Sequence, residues 1–148
     1  MTDRLTVVRD VFAAYESADR GVVERHLADA FTFSAPPDVG IDRATYFERC
    51  WPNSQSTEAF EYKRLFEKDG EVFVTYEATK TDGRRFRNTE VFAFDGGQIS
   101  RVEVYFGWTW SEGGGEPARS CKPRPSPCVR GLRRATLGGC AGSGLWRC

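Results

Sequence analysis

RRFRNTEVFAFDGGQISRVEVYFG, residues 84–107, decides the fold. Large apolar side chains alternate with polar ones on both sides of Asp95-Gly96-Gly97. Side chains on a strand point alternately to opposite faces, and Asp-Gly and Gly-Gly pairs suit two-residue hairpin turns. The stretch therefore reads as two antiparallel strands, with Phe86, Asn88, Glu90, Phe92 and Phe94 on one face. A carboxylate in that company is costly to bury without a partner. Glu90 sits either at a strand end in water or inside a pocket with a chemical task.

The same alternation extends upstream. Phe60, Tyr62, Arg64 and Phe66 alternate with polar neighbours, and Lys68-Asp69-Gly70 is a hairpin turn. Val72, Val74, Tyr76 and Ala78 follow, then a second turn at Asp82-Gly83. With a last strand over 99–106, this is an antiparallel meander of four strands. Before residue 52 the period is helical. Leu5, Val8, Val11, Phe12 and Tyr15 form one stripe, with Thr2 or Asp3 as its cap. Asp19-Arg20-Gly21 breaks that helix, and a short second one is predicted over 22–27. Phe31-Thr32-Phe33 reads as a short strand stopped by Pro36-Pro37. Asp42 caps a third helix carrying Tyr46, Phe47, Cys50 and Trp51, which ends at Pro52. Helices first and strands afterwards indicate α+β. A long twisted sheet curls around such helices and can leave a cavity at its open end.

The chain has 148 residues, 40% of them hydrophobic and 14% aromatic, enough for one domain with a sizeable core. Acidic and basic residues balance at 21 each, so no global field favours nucleic acid or an anionic membrane. The balance hides a split: residues 109–148 carry a net +5 and residues 1–108 a net −5. This last stretch holds 8 of the 15 glycines and 4 of the 7 prolines, without period, and is predicted to be a low-complexity, disordered basic tail. It lacks the interleaved aromatics of an RNA-binding arm, which disfavours nucleic acid as a partner. No apolar run approaches the roughly 20 residues of a membrane span, and no secretory signal is visible, so the default compartment is the cytoplasm. Cys50 is alone in the body; Cys121, Cys128, Cys140 and Cys148 lie in the tail with no C-x-x-C spacing, so no metal site is expected. Phosphate-binding glycine loops and nucleophile-elbow motifs are also missing, and no cofactor is called for.

An ordered set of short segments resembles a known family. Phe12-Ala13-Ala14-Tyr15 is followed by Ala18-Asp19-Arg20-Gly21 and Leu27-Ala28-Asp29-Ala30-Phe31. Phe94-Asp95-Gly96-Gly97-Gln98-Ile99 and the closing Val104-Tyr105-Phe106-Gly107 complete the set. Over about residues 4–108 the chain is similar to the SnoaL-like branch of the nuclear transport factor 2-like superfamily, which includes polyketide cyclases. The resemblance implies a cone-shaped α+β barrel, with three N-terminal helices packed on a curved, mostly antiparallel sheet around a small-molecule pocket. Members include isomerases, cyclases, dehydratases and non-catalytic proteins, so the fold alone assigns no reaction. The general-base aspartate of the ketosteroid isomerases falls at Ala35, and their first-helix tyrosine falls near Val11. Their second acid aligns with Glu90. Epoxide hydrolases need two aspartates bridged by arginine, and the strands offer only Glu90 and Arg64. A SnoaL-type cyclase needs mainly an acid–base carboxylate in an apolar pocket, a requirement Glu90 meets.

The candidate site follows. Glu90 is an acid–base group, or a structural carboxylate paired with Arg64 or bonded to Tyr62. His26, the only histidine, titrates near neutrality and is a second acid–base candidate, or an ordinary half-buried side chain. Arg64 sets the charge of Glu90 if it faces inward, unless a bulge turns it to solvent. Asn88 would orient a carbonyl or is a polar strand-end residue. Tyr62, Tyr46, Trp51 and Phe92 line the cavity or belong to the core, and Tyr15 reads as core. The expected function is binding of a small apolar carbonyl compound, with cofactor-free cyclisation, isomerisation or dehydration if the chain is an enzyme. The alternative is a non-catalytic ligand-binding or assembly domain. Arg85, Arg87, Arg101, Glu103 and Tyr105 share the outer sheet face, through which a homodimer is expected.

Overall fold

The structure, a computed structural model, describes residues 3–111. The expectations for the tail beyond residue 111 lie outside the described residues.

Helix α1 (Arg4–Ser17) starts where the Asp3 carboxylate accepts the Thr6 N–H and ends at Ala18, in the left-handed region at φ 54°. Its stripe buries Val7, Val8, Val11, Phe12 and Ala14. Helix α2 (Arg20–His26) begins two residues earlier than the sequence suggests, because Asp19 caps it by accepting from Val22 N–H. The strand β1 (Leu27–Ala35) is longer than Phe31–Phe33 alone. It turns at Pro36-Pro37 into β2 (Asp38–Asp42), a strand the periodicity did not reveal. A five-residue segment containing Gly40 at φ 65° carries too little alternation to be read as a strand. Asp42 caps α3 (Arg43–Arg49) through Thr45 N–H, as its position suggests. That helix stops at Arg49, and Trp51 and Pro52 open a 3-10 turn, Trp51–Ser56.

Four long strands complete the chain: β3 (Thr57–Lys68), β4 (Glu71–Lys80), β5 (Arg84–Asp95) and β6 (Gln98–Ser111). Two hairpins pair Lys68 with Glu71 and Asp95 with Gln98 across two-residue turns. Their turn residues are Asp69 (φ 53°) with Gly70 (φ 83°), and Gly96 (φ 55°) with Gly97 (φ 87°). This double positive φ matches the right-handed twist of the strands it joins. The sheet order is β2-β1-β6-β5-β4-β3, antiparallel except where β1 runs parallel to β6. β2 and β3 are edges, so the sheet is open and does not close into the expected barrel. The helices cover one face, the inner face. Phe31, Phe92, Ile99, Val8, Val23 and Val74 are among the fully buried side chains of this layer. No helix among the described residues is long and apolar enough to cross a membrane.

Candidate active site

Register builds the site. On β4 the buried residues Val74, Tyr76 and Ala78 face inward, and β5 sets Glu90, Asn88 and Phe86 directly opposite them. Directly opposed and diagonal side chains on one sheet face are within reach of each other. Phe12 of α1 closes the space from above. Its ring meets Phe60 at 4.8 Å, Tyr76 at 5.0 Å, Tyr62 at 5.5 Å and Phe92 at 6.2 Å between centroids.

Glu90 stands within this aromatic interior. The Tyr76 hydroxyl donates to Glu90 Oε1 at 2.6 Å. Burial pushes the Glu90 carboxyl up to about 7, and the Tyr76 bond, which favours the charged form, offsets only part of that rise. No cation among the described residues pairs with it. Tyr76 is itself buried, and burial together with the neighbouring Glu90 charge holds its hydroxyl well above the ordinary tyrosine value. From the helical side, Tyr15 and Tyr46 bring their hydroxyls within 2.5 Å of each other. Burial raises both, and both feel the Glu90 charge. In such a pair one hydroxyl donates to the other, and the second proton remains free to bond a ligand oxygen. The interior thus holds a carboxyl group that exchanges a proton near neutrality and three neutral phenols.

The structure places the other sequence-derived candidates as follows. Phe92 is buried beside Phe12, and Trp51 packs edge-on against Tyr15 at 4.9 Å. Tyr62 lies on the inner face at the β3 edge, still 38% exposed, and partial burial pushes its hydroxyl up to about 12. Asn88 faces the interior, but its Oδ1 accepts the Gly107 N–H at 3.3 Å. Arg64 does not reach Glu90. Tyr62 pairs with Tyr76 but Arg64 with Thr75, so Lys63 is an extra residue, a β-bulge. Beyond the bulge the faces exchange: Leu65 turns toward the core, while Arg64 and Phe66 are exposed on the outer face. His26 also lies elsewhere. As the last residue of α2 it turns back on α1, with Nε2 3.4 Å from Asp10 Oδ2. Both residues line an open cleft of about 270 Å³ between the two helices. A second cleft of about 410 Å³, beside Arg43 and Phe47, likewise does not reach Glu90.

Tyr76 is the residue that sequence reasoning missed. The signal was present: Tyr76 alternates with Val72, Val74 and Ala78, and the following turn sets it against the Glu90 face. The outer face carries the expected charges. Arg85 and Arg87 clasp the buried Glu77, Arg101 pairs with Glu71, and the Tyr105 hydroxyl donates to Glu103.

No family model matches the chain, and no curated protein matches it. Solved structures do. An NTF2-like protein of unknown function from Cytophaga hutchinsonii is 18% identical, with a TM-score of 0.57 over 72% of this chain and 93% of that one. A candidate polyketide cyclase from Sinorhizobium meliloti is 16% identical, with a TM-score of 0.59 over 68% and 94%. A candidate ketosteroid isomerase from Kribbella flavida is 18% identical, with a TM-score of 0.59 over 84% and 92%. At these identities the likeness speaks for the fold alone: this chain has the nuclear transport factor 2-like fold.

Proposed function

We propose that the chain is a small-molecule protein of the SnoaL-like type that moves a proton on an apolar carbonyl compound without a cofactor, as in an isomerisation, cyclisation or dehydration. The observation that carries this reading is Glu90: a partly buried carboxyl group on the inner sheet face, bonded by Tyr76 and pushed up to about 7 by burial. A general acid–base works best when its pKa lies near the working pH. In the reaction, Glu90 removes a proton next to the carbonyl and returns it at a second carbon or on oxygen. The Tyr15–Tyr46 pair is the donor set for the developing oxyanion, since a neutral phenol in a dry site stabilises charge there without rearranging.

The test is exchange of α-protons into heavy water for a panel of cyclic and aromatic ketones, followed by NMR. The wild type should accelerate exchange for at least one ketone, with a rate that rises through pH 7, and Glu90→Gln should abolish it. Equal rates in the two proteins would remove Glu90 from the chemistry.

A second reading is a non-catalytic domain that assembles as a homodimer through the outer sheet face. It is favoured by the aromatic filling of the interior and by rings left exposed outside. Phe66 stacks on Phe73 at 5.3 Å, and Tyr105 and Trp108 are more than half exposed, at 56% and 59%. Sedimentation of the wild type and Tyr105→Glu tests it: a dimer that dissociates in the variant supports the reading, and a wild-type monomer ends it.

A further inference from the structure

We infer that the cleft between α2, the start of β1 and α3 binds a free amino acid, with Arg43 taking the α-carboxylate and Asp29 the ammonium group. This cleft does not reach Glu90, so the site is independent of the acid–base reading.

The cleft is built around Phe47. Its ring is buried, and two guanidinium groups stand over it, Arg20 at 4.5 Å and Arg43 at 5.9 Å from the ring centre. A cation over an aromatic face is held by the ring quadrupole, so both heads stay at the wall of a cavity of about 410 Å³. That volume is ordinary for a small-ligand site. Arg20, Glu24, Asp29, Asp42 and Arg43 supply its charges, and Ala44 and Phe47 its apolar surface.

Most of these charges are already engaged. Arg20 Nε donates to Glu24 Oε1 at 2.7 Å, an ion pair one helical turn apart on α2. Asp42 Oδ1 accepts the Thr45 N–H at 2.8 Å as the cap of α3. Arg43 and Asp29 differ. Arg43 Nη2 donates to the Glu24 backbone carbonyl at 2.7 Å, a neutral acceptor, and no carboxylate among the described residues pairs with it. Its Nε is buried without an acceptor. Asp29 is exposed and makes no hydrogen bond or ion pair with a described residue. One cleft therefore presents an unpaired guanidinium and an unpaired carboxylate that do not reach each other.

That pair selects the ligand. The terminal N–H groups left on Arg43 form a fork that matches a carboxylate, and Asp29 accepts from an ammonium group. A simple anion on Arg43 is repelled by Asp29 and Asp42, and a simple cation on Asp29 is repelled by Arg43. A zwitterion meets both ends and brings no net charge. An amino acid carries its two charges on neighbouring atoms, and its side chain can lie on Ala44 and Phe47.

The test is titration of the isotope-labelled full chain with glycine, L-alanine, L-leucine and L-phenylalanine at neutral pH, followed by NMR. The Arg43 Nε–H signal and the backbone amides of Asp29, Ala44 and Phe47 should shift saturably with at least one of them, with half-saturation below about 10 mM. The N-acetyl form of that amino acid lacks the ammonium group and its amide form lacks the carboxylate. Each should bind at least about tenfold more weakly, since each leaves a charged partner unmet. Asp29→Asn should remove the preference over the N-acetyl form, and Arg43→Gln the preference over the amide form. Should Arg43→Gln fail to fold, the two blocked ligands on the wild type carry the test. Several results overturn the inference: no saturable shift with any of the amino acids, shifts centred on Glu90 instead of this cleft, or a blocked form that binds as well as the free amino acid. In the last case an N-acetyl form that binds equally well would mark a plain anion site, and an amide form that does so a plain cation site.

Discussion

Glu90→Gln should stabilise this protein at neutral pH. The Glu90 carboxyl is pushed up to about 7 in the fold, against 4.5 for the exposed group. Between those values the folded state holds a proton that the unfolded chain has released. Unfolding free energy changes with pH in proportion to protons bound unfolded minus protons bound folded, which is negative here, so stability falls as pH rises through this window. Each unit of pH costs up to about 1.4 kcal/mol, so this one residue removes about 3 kcal/mol between pH 4.5 and 7.5. Above that range the loss is complete and constant. The experiment is urea unfolding of wild type and Glu90→Gln at half-unit steps from pH 4.5 to 8. The difference between the two proteins is the quantity to follow, because other titrations cancel in it. It should grow in favour of glutamine by about 3 kcal/mol over the window and then level off. A flat difference curve would refute the reasoning, since it would mean that the carboxyl titrates as it does in water and that the aromatic interior does not desolvate it.

Other consequences follow from single contacts. Gly107→Ala forces a Cβ onto the Arg87 carbonyl and should cost about 1–3 kcal/mol in urea unfolding; a neutral result would mean this close approach is not needed. Phe12→Ala removes the ring that meets Phe60, Tyr62, Tyr76 and Phe92, and should cost about 3–5 kcal/mol by the same assay. Arg64→Ala, on the outer face behind the bulge, should change stability by no more than about 0.5 kcal/mol and leave the Glu90 NMR titration in place; a shifted midpoint would mean that the arginine does reach the interior. His26→Gln should leave any Glu90-dependent proton exchange at wild-type rate, because its partner is Asp10 in a separate cleft.

Much of the architecture was legible because the signals are local. Hydrophobic period, capping aspartates at 3 and 42, and turn pairs such as Gly96-Gly97 act within a few residues, and each appears where the chemistry requires it. The errors fall where that locality fails. β2 has too few residues to show a period, and it is held by pairing with β1 and by the Arg49 ion pair to the buried Asp38 at 2.6 Å. Strict alternation groups Arg64 with Tyr62 and Phe66, but the one residue inserted at position 63 reverses every side chain after it.

The candidate site divides along the same line. The amino-acid order alone determined that Glu90 shares a face with Asn88 and Phe92, since alternation along one strand is a property of the backbone. It also determined the order of the three helices, the first strand and the four-stranded meander, and with it the fold that the solved structures share. Only the tertiary structure decided which groups meet that carboxyl. Tyr76 arrives by the β4–β5 register, and Tyr15 and Tyr46 by the packing of α1 and α3 over the sheet. Arg64 is carried off by a bulge, and His26 is drawn to Asp10. The protonation state of Glu90 is set by desolvation and by one hydrogen bond, and both depend on distances in space that a linear sequence does not contain.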